Sequence, residues 1–202
     1  MNQPCLILFA RPPKAGLVKT RLIPAIGADA AAEVYRRLLE HALDAASRLK
    51  EVRSELWCAG RDDGSCAAFA DRFGMTLHRQ EGGDLGERMY HALETALQTA
   101  DKAVLIGSDS LDYDPGYLTQ AFSSLEEHDA VLGPAADGGY LLIGLRRSER
   151  SLFDNMSWSN DGVLDETRRR LSALGWGWRE LPTLRDVDLP EDLAQFPELI
   201  PK

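Results

Sequence analysis

The sequence predicts an α/β protein whose sheet is largely parallel and carries helices on both faces, wound in the Rossmann manner. Three observations predict it. Short apolar runs of strand length, such as Leu6-Ile7-Leu8-Phe9 and Ala103-Val104-Leu105-Ile106, stop at glycine, proline or charged residues. Between them lie longer stretches in which apolar residues recur every three or four positions, the period of a helix with one buried face. The two patterns alternate, and a strand that returns parallel to its predecessor needs a helical crossover.

The first run, residues 6–9, ends at Arg11-Pro12-Pro13 and reads as a central strand feeding a loop. Asp29 can cap a helix whose buried stripe is Val34, Leu38, Ala42, Ala45 and Leu49. A strand over 54–59, a short helix over 67–73 and the alternating Met75-Thr76-Leu77-His78 continue the rhythm. Gly82-Gly83 breaks the chain, and Asp84 with Glu87 resembles a capping box that opens a helix through Leu85, Met89, Leu93 and Leu97. Then come a strand over 103–107, a helix over 116–127, a strand over 130–133 and, past the Gly138-Gly139 turn, a strand over 140–145. A helix over 163–174, a strand-like 176–181 and a short helix after Pro190 close the chain. No repeat, linker or low-complexity tract divides it, so one domain over 1–202 is expected.

With 44% hydrophobic and 27% charged residues the composition is globular, and no apolar run is long enough to span a membrane. The apolar stretch 5–10 is too short, and lacks the basic flank, for a secretory signal, so a cytoplasmic protein without membrane insertion is expected. Three cysteines, Cys5, Cys58 and Cys66, form no C-x-x-C motif and suggest neither a disulfide framework nor a zinc site. A net charge of −9 argues against a nucleic-acid polymer as partner, since backbone affinity accumulates from lysine and arginine contacts. Any anion must be held locally, by a small basic cluster or a metal.

Ligands of open parallel sheets bind beyond the carboxyl ends of the strands, which singles out four stretches. After the first strand, Arg11, Lys14, Gly16, Lys19 and Arg21 supply cationic donors and a permissive backbone, a composition suited to nucleotide phosphates. The G-K-[ST] adjacency of a P-loop is absent, and a merely exposed basic loop is the alternative. Asp109 directly follows the strand over 103–107, where it can hold a divalent ion, Mg2+ or Mn2+; a turn or helix cap is the alternative for Asp109 and Asp112. Asp137-Gly138-Gly139-Tyr140 combines an acid with a tight turn. Asp186 and Asp188 share one face if their segment is extended, although Asp188 could instead cap the terminal helix. The histidines lack ligand spacing, and the tryptophans are given no role beyond packing.

Taken together, the run Leu8-Phe9-Ala10-Arg11-Pro12-Pro13-Lys14-Ala15-Gly16-Leu17-Val18-Lys19-Thr20-Arg21-Leu22, Gly107-Ser108-Asp109, Gly133-Pro134-Ala135-Ala136-Asp137-Gly138-Gly139-Tyr140 and Asp186-Val187-Asp188-Leu189-Pro190-Glu191-Asp192-Leu193 resemble one bacterial family. It is a glycosyltransferase-A-like family, long a domain of unknown function and associated in some members with arsenosugar biosynthesis. It is similar to phospholactate guanylyltransferases and molybdenum-cofactor nucleotidyltransferases. The resemblance covers nearly the whole chain and implies a nucleotide-diphospho-sugar transferase fold. It further implies that the loop 11–21 holds nucleotide phosphates and that Gly82, Asp84 and Gly86, in the run through Arg88, lie by the base or ribose. Asp109, Asp186 and Asp188 would hold the metal, while Asp137, Gly138, Gly139 and Tyr140 would face the transferred group or acceptor. Such families commonly read Gly-Ser-Asp-Cys-Pro-Asp at the strand end; here Ser110 and Leu111 replace cysteine and proline.

The leading expectation is a metal-dependent glycosyltransferase that uses a nucleotide diphosphate sugar, with Asp109 and Asp137 as its catalytic acids. The alternatives are nucleotidyl transfer to a phosphorylated acceptor and a nucleotide-binding module without catalysis. The partners expected are a nucleotide-activated small molecule and an acceptor that the sequence does not identify.

Overall fold

The computed structural model describes residues 2–61, 63–158 and 161–201. Among them seven strands form one sheet: β1 (Cys5–Ala10), β2 (Arg53–Cys58), β3 (Thr76–Arg79), β4 (Ala103–Ile106), β5 (Ala130–Pro134), β6 (Tyr140–Leu145) and β7 (Trp178–Glu180). Their spatial order is β3-β2-β1-β4-β6-β5-β7. Neighbours run parallel except around β6, which is antiparallel to both β4 and β5. The sheet is therefore mostly parallel, as the alternation predicts. The reversed strand follows because β5 and β6 are joined by the tight turn through Gly138 rather than by a helix.

The helices are α1 (Ile23–Ile26), α2 (Ala28–Ser47), α3 (Ser65–Phe73), α4 (Leu85–Leu97), α5 (Pro115–Ser124), α6 (Val163–Ala173) and α7 (Pro190–Leu193). β1 is buried on both faces, and its alternation assigns the layers. Leu6, Leu8 and Ala10 pack with α2, α3 and α5, while Cys5, Ile7 and Phe9 pack with α4 and α6. A third cluster joins Leu22 and the Val34/Leu38 face of α2 to Val187, Leu193, Phe196 and Leu199, which docks the carboxyl-terminal segment. Among the described residues no helix is long and apolar enough to cross a membrane.

Two local expectations need correction. α2 starts at Gly27 with no side-chain cap, and Asp29 lies in its first turn, because the short α1 directly precedes it. Cys58 and Cys66 are joined as a disulfide with their Cα atoms 6.5 Å apart, where the cysteine count suggested none. The end of β2 and the start of α3 face each other across one short loop, a proximity that spacing alone does not reveal. Asp84 does cap α4, accepting from the Glu87 N–H at 2.8 Å, while Glu87 accepts from the Gly83 N–H at 2.7 Å. Asp114 caps α5. At α7 the capping carboxylate is Asp192, which accepts from the amides of Asp188 and Leu189, so the Asp188 side chain is not used as a cap.

Candidate active site

Carboxyl ends of strands set the position of the cleft. β1 and β4 are neighbours, and the chain leaves β1 toward β2 on one side but leaves β4 toward β5 on the other, which opens a crevice between them. A cleft of about 880 Å³ occupies this place, floored by Phe9, Ala10, Gly107 and Ser108. Tyr35 of α2 ties the floor together. Its hydroxyl accepts from the Arg11 amide at 2.9 Å and the Ser108 hydroxyl at 3.0 Å, and burial, followed by the nearby Asp109 carboxylate, pushes its pKa up to about 12. Gln80 closes one side, donating to the carbonyls of Trp57 at 2.8 Å and Ala10 at 3.3 Å.

Distant segments meet at the acidic end. After β7 the chain continues beside β5, with Leu184 donating to the Pro134 carbonyl at 2.8 Å and bridging to Ala135. Arg185 then grips Asp112 through its backbone amide and its guanidinium, the shortest contact being 2.6 Å, and Val187 donates to the Asp109 carbonyl at 2.9 Å. Buried Val187 points into the third cluster, so Asp186 and Asp188 point the other way, into the cleft wall with Asp109 and Asp137. Asp112, for which the sequence left a turn or cap open, serves as the anchor of this segment.

Lys19, held in a left-handed backbone conformation with φ 45°, reaches across with its side chain only 4% exposed. Its ammonium pairs with Asp109 and lies 3.8 Å from Asp188, while Arg21 meets the other oxygen of Asp188 at 2.7 Å. The four cations of the loop therefore do not converge on one point. Lys19 and Arg21 neutralise acids, Arg11 lines the cleft, and Lys14 faces an adjoining recess. Asp186 is half-buried, and burial, then repulsion from Asp137, raises its pKa above the usual carboxylate value.

Other expected residues divide between cleft and scaffold. Asp84, Gly139 and Tyr140 join the wall. Asp137 accepts from the Gly139 amide at 3.0 Å, which fixes its carboxylate at the turn. Gly138 lies outside the wall, at φ +87°, where a side chain would strike the backbone of Asp161. Gly86 likewise serves packing, since a methyl there would come within 2.7 Å of the Phe153 carbonyl and 2.8 Å of the Trp158 ring. Gly82, at φ +141°, abuts Glu87 and Arg88, and Gly16 forms an open turn outside the cleft.

Sequence reasoning missed Tyr35, Gln80, Asp161 and Trp158 in the wall. Only Trp158 carried a signal, as an aromatic side chain near a charged turn. Among the described residues its buried indole N–H has no hydrogen-bond partner.

Carboxylates with a half-buried member facing another acid match what a hard divalent cation requires, in both oxygen chemistry and charge. Among the described residues, no group of three or more His, Cys, Asp and Glu side chains is already gathered around one ion position.

Comparison with solved structures agrees with this architecture. A Desulfovibrio desulfuricans G20 protein, provisionally named a nucleotide-diphospho-sugar transferase, is 33% identical with a TM-score of 0.90, over 97% of this chain and 87% of that one. The inositol-1-phosphate CTP transferase from T. maritima shares the fold at 16% identity and a TM-score of 0.65, over 98% and 94% of the two chains. A mannosyltransferase from Pyrobaculum calidifontis, in complex with GDP-Man and Mn2+, shares it at 16% identity and a TM-score of 0.55, over 92% of this chain and 56% of that one. Comparison with curated proteins gives no match. The fold is thus the one used by transferases of nucleotide-activated groups. The family model described as "Uncharacterized protein conserved in bacteria (DUF2064)" matches residues 26–160, more than half of the chain, and the protein belongs to that family.

Proposed function

We propose that the protein is a metal-dependent glycosyltransferase that uses a nucleotide diphosphate sugar. The observation that carries this reading is the presence of both signs of charge in one cleft. Arg11 and Arg88 line the cleft where it adjoins a second recess, and Asp109, Asp137, Asp186 and Asp188 line the same cleft, Asp137 near Asp186 and Lys19 between Asp109 and Asp188. A diphosphate needs the cations, and an acceptor hydroxyl needs a carboxylate to orient it and receive its proton.

The donor-set chemistry fits Mg2+ or Mn2+, with Asp109, Asp186 and Asp188 as the residues that would hold it. When bound, such an ion supplies positive charge to the leaving diphosphate. Asp137, whose carboxylate accepts from the Gly139 amide, would accept the proton of an acceptor hydroxyl. The acceptor oxygen forms its bond to the sugar as the bond to the diphosphate breaks. Lys19 and Arg21, now paired with acids, can turn to the developing negative charge.

A second reading, nucleotidyl transfer to a phosphorylated acceptor, is favoured by the fold shared with the CTP transferase. Product analysis decides between them. Purified protein with Mn2+, nucleotide sugars and candidate acceptors should release nucleoside diphosphate. Pyrophosphate released from a nucleoside triphosphate would favour the second reading. Nucleotide binding without turnover of any donor would leave a binding module.

A further inference from the structure

Segments distant in sequence build one wall of the cleft. The turn through Asp137 and Gly139 joins β5 to β6, and the Leu164 amide in α6 donates to the Gly138 carbonyl at 3.0 Å, which brings Asp161 and Val163 beside that turn. Trp158 completes the wall. One edge of its ring rests against Gly86, where a methyl would meet Cζ2 at 2.8 Å and Nε1 at 2.9 Å. Trp158 and Tyr140 are both half-buried and pack on the α4 and α6 side of the sheet. The indole Nε1 is buried and, among the described residues, has no hydrogen-bond partner. It is the only polar atom of the side chain, so whatever part of that side chain faces the cleft is carbon. A residue that only filled space would serve better as Phe, which buries no orphaned donor. The charge along this wall has one sign. Asp137 and Asp161 line it, and among the described residues neither has a Lys or Arg nitrogen within 4.0 Å.

We propose that Trp158 and Asp161 form the specificity subsite for the transferred sugar, and that this sugar carries no acidic group. The inference rests on the glycosyltransferase reading of the cleft. A pyranose has an apolar face of C–H groups and a rim of hydroxyls. The indole carbons cover the first, which removes apolar area from water, and the Asp161 carboxylate accepts from the second. A uronic acid or a phosphorylated sugar would set an anion against unneutralised carboxylates. The diphosphate needs neither the indole nor Asp161, so the wall's effect on affinity is separable from that of the nucleotide.

The test compares nucleotide sugars with their bare diphosphates. UDP-glucose, GDP-mannose, ADP-glucose and CDP-glucose, and the four diphosphates, are titrated calorimetrically into the whole protein with Mg2+. The ratio of each pair of dissociation constants isolates the sugar. Trp158→Ala should shift that ratio about tenfold against the sugar and leave the diphosphate within about twofold. Trp158→Phe, which keeps an aromatic ring, should restore most of the loss. Equal losses for sugar and diphosphate, or no recovery in Trp158→Phe, mark a structural residue and overturn the subsite. Saturation-transfer NMR with methyl glucoside, galactoside, mannoside and glucuronide needs no nucleotide. Wild type should show signal from a neutral glycoside, lost in Trp158→Ala, and none from the glucuronide, which Asp161→Asn should admit. Glucuronide signal in wild type as strong as that of the neutral glycosides overturns the selection by charge. If no diphosphate binds, the nucleotide reading of the cleft falls, and the glycosides alone decide the subsite: absence of a Trp158-dependent signal overturns it.

Discussion

Val187 donates its backbone N–H to the carbonyl of Asp109 across 2.9 Å, and this single bond puts the Asp186/Asp188 segment beside the end of β4. The neighbouring clasp of Arg185 on Asp112 holds the same segment from its other side, over a separation of 73 residues. Arg185 is 53% exposed, so water screens the pair and Arg185→Ala should cost little stability. Nucleotide and metal binding should suffer more, because the acids lose their register. Arg185 holds the Asp112 carboxyl below its ordinary 3.8. Its contribution is therefore complete above that value and is lost as pH falls through the lowered one. Chemical denaturation at several pH values checks this. A variant whose stability deficit persists unchanged in strong acid would contradict the assignment.

Thiol chemistry offers a second check. Cys5 is buried, and burial pushes its thiol up to about 12, so little thiolate exists at neutral pH. Cys58 and Cys66 are tied to each other. Native protein should show no fast-reacting thiol toward a chromogenic disulfide reagent, denatured protein about one, and denatured, reduced protein about three. Three thiols in the unreduced, denatured sample would show that the bond does not form.

Two glycines make room for Trp158 and Asp161, which line the cleft. Alanine at Gly138 would meet the Asp161 carbonyl at a positive φ, and alanine at Gly86 would press on Trp158 and the Phe153 carbonyl. Overpacking at both sites, with backbone strain added at Gly138, should cost about 2 kcal/mol or more, a fall of roughly 4–8 °C in Tm for a chain of this size. Gly16→Ala meets no atom within 4 Å and should lose only the positive-φ term. Thermal melts compare the three. A Gly16 variant as damaged as the Gly138 variant would refute the close-approach account.

Much of the fold was legible because buried strands and amphipathic helices differ in period, as in β1, α2 and α4. The reversal of β6 was not, since a fully buried strand has the same apolar run whichever way it points. The candidate site was legible where residues follow strands directly, as Asp109 and Asp137 do. Its pairings were hidden. Spacing placed Lys19 and Arg21 together on the phosphate loop, but only the fold shows that Asp188 comes back to meet them. Tyr35 and Gln80 lie in a helix stripe and after an edge strand, where nothing local marks a cleft residue.

The Lys19 contacts lead to the last prediction, an exchange of charges on binding. In the protein alone, the Lys19 ammonium takes the place of a cation between Asp109 and Asp188. A divalent ion that uses those carboxylates must displace it, and a cation held at only 4% exposure then needs a new anion. A nucleotide phosphate is such an anion, so each ligand removes the obstacle to the other. Metal and nucleoside diphosphate together should raise Tm by more than the sum of their separate effects. Lys19→Ala should strengthen binding of Mn2+ alone, because the competitor is gone, and weaken the nucleotide by about tenfold or more. Asp109→Asn should abolish the synergy while far-ultraviolet dichroism stays unchanged. Thermal shifts measured with Mn2+, with each nucleoside diphosphate and with both decide the matter. Purely additive shifts in wild type, or full synergy in Asp109→Asn, would show that the acids and the phosphate loop do not share one site.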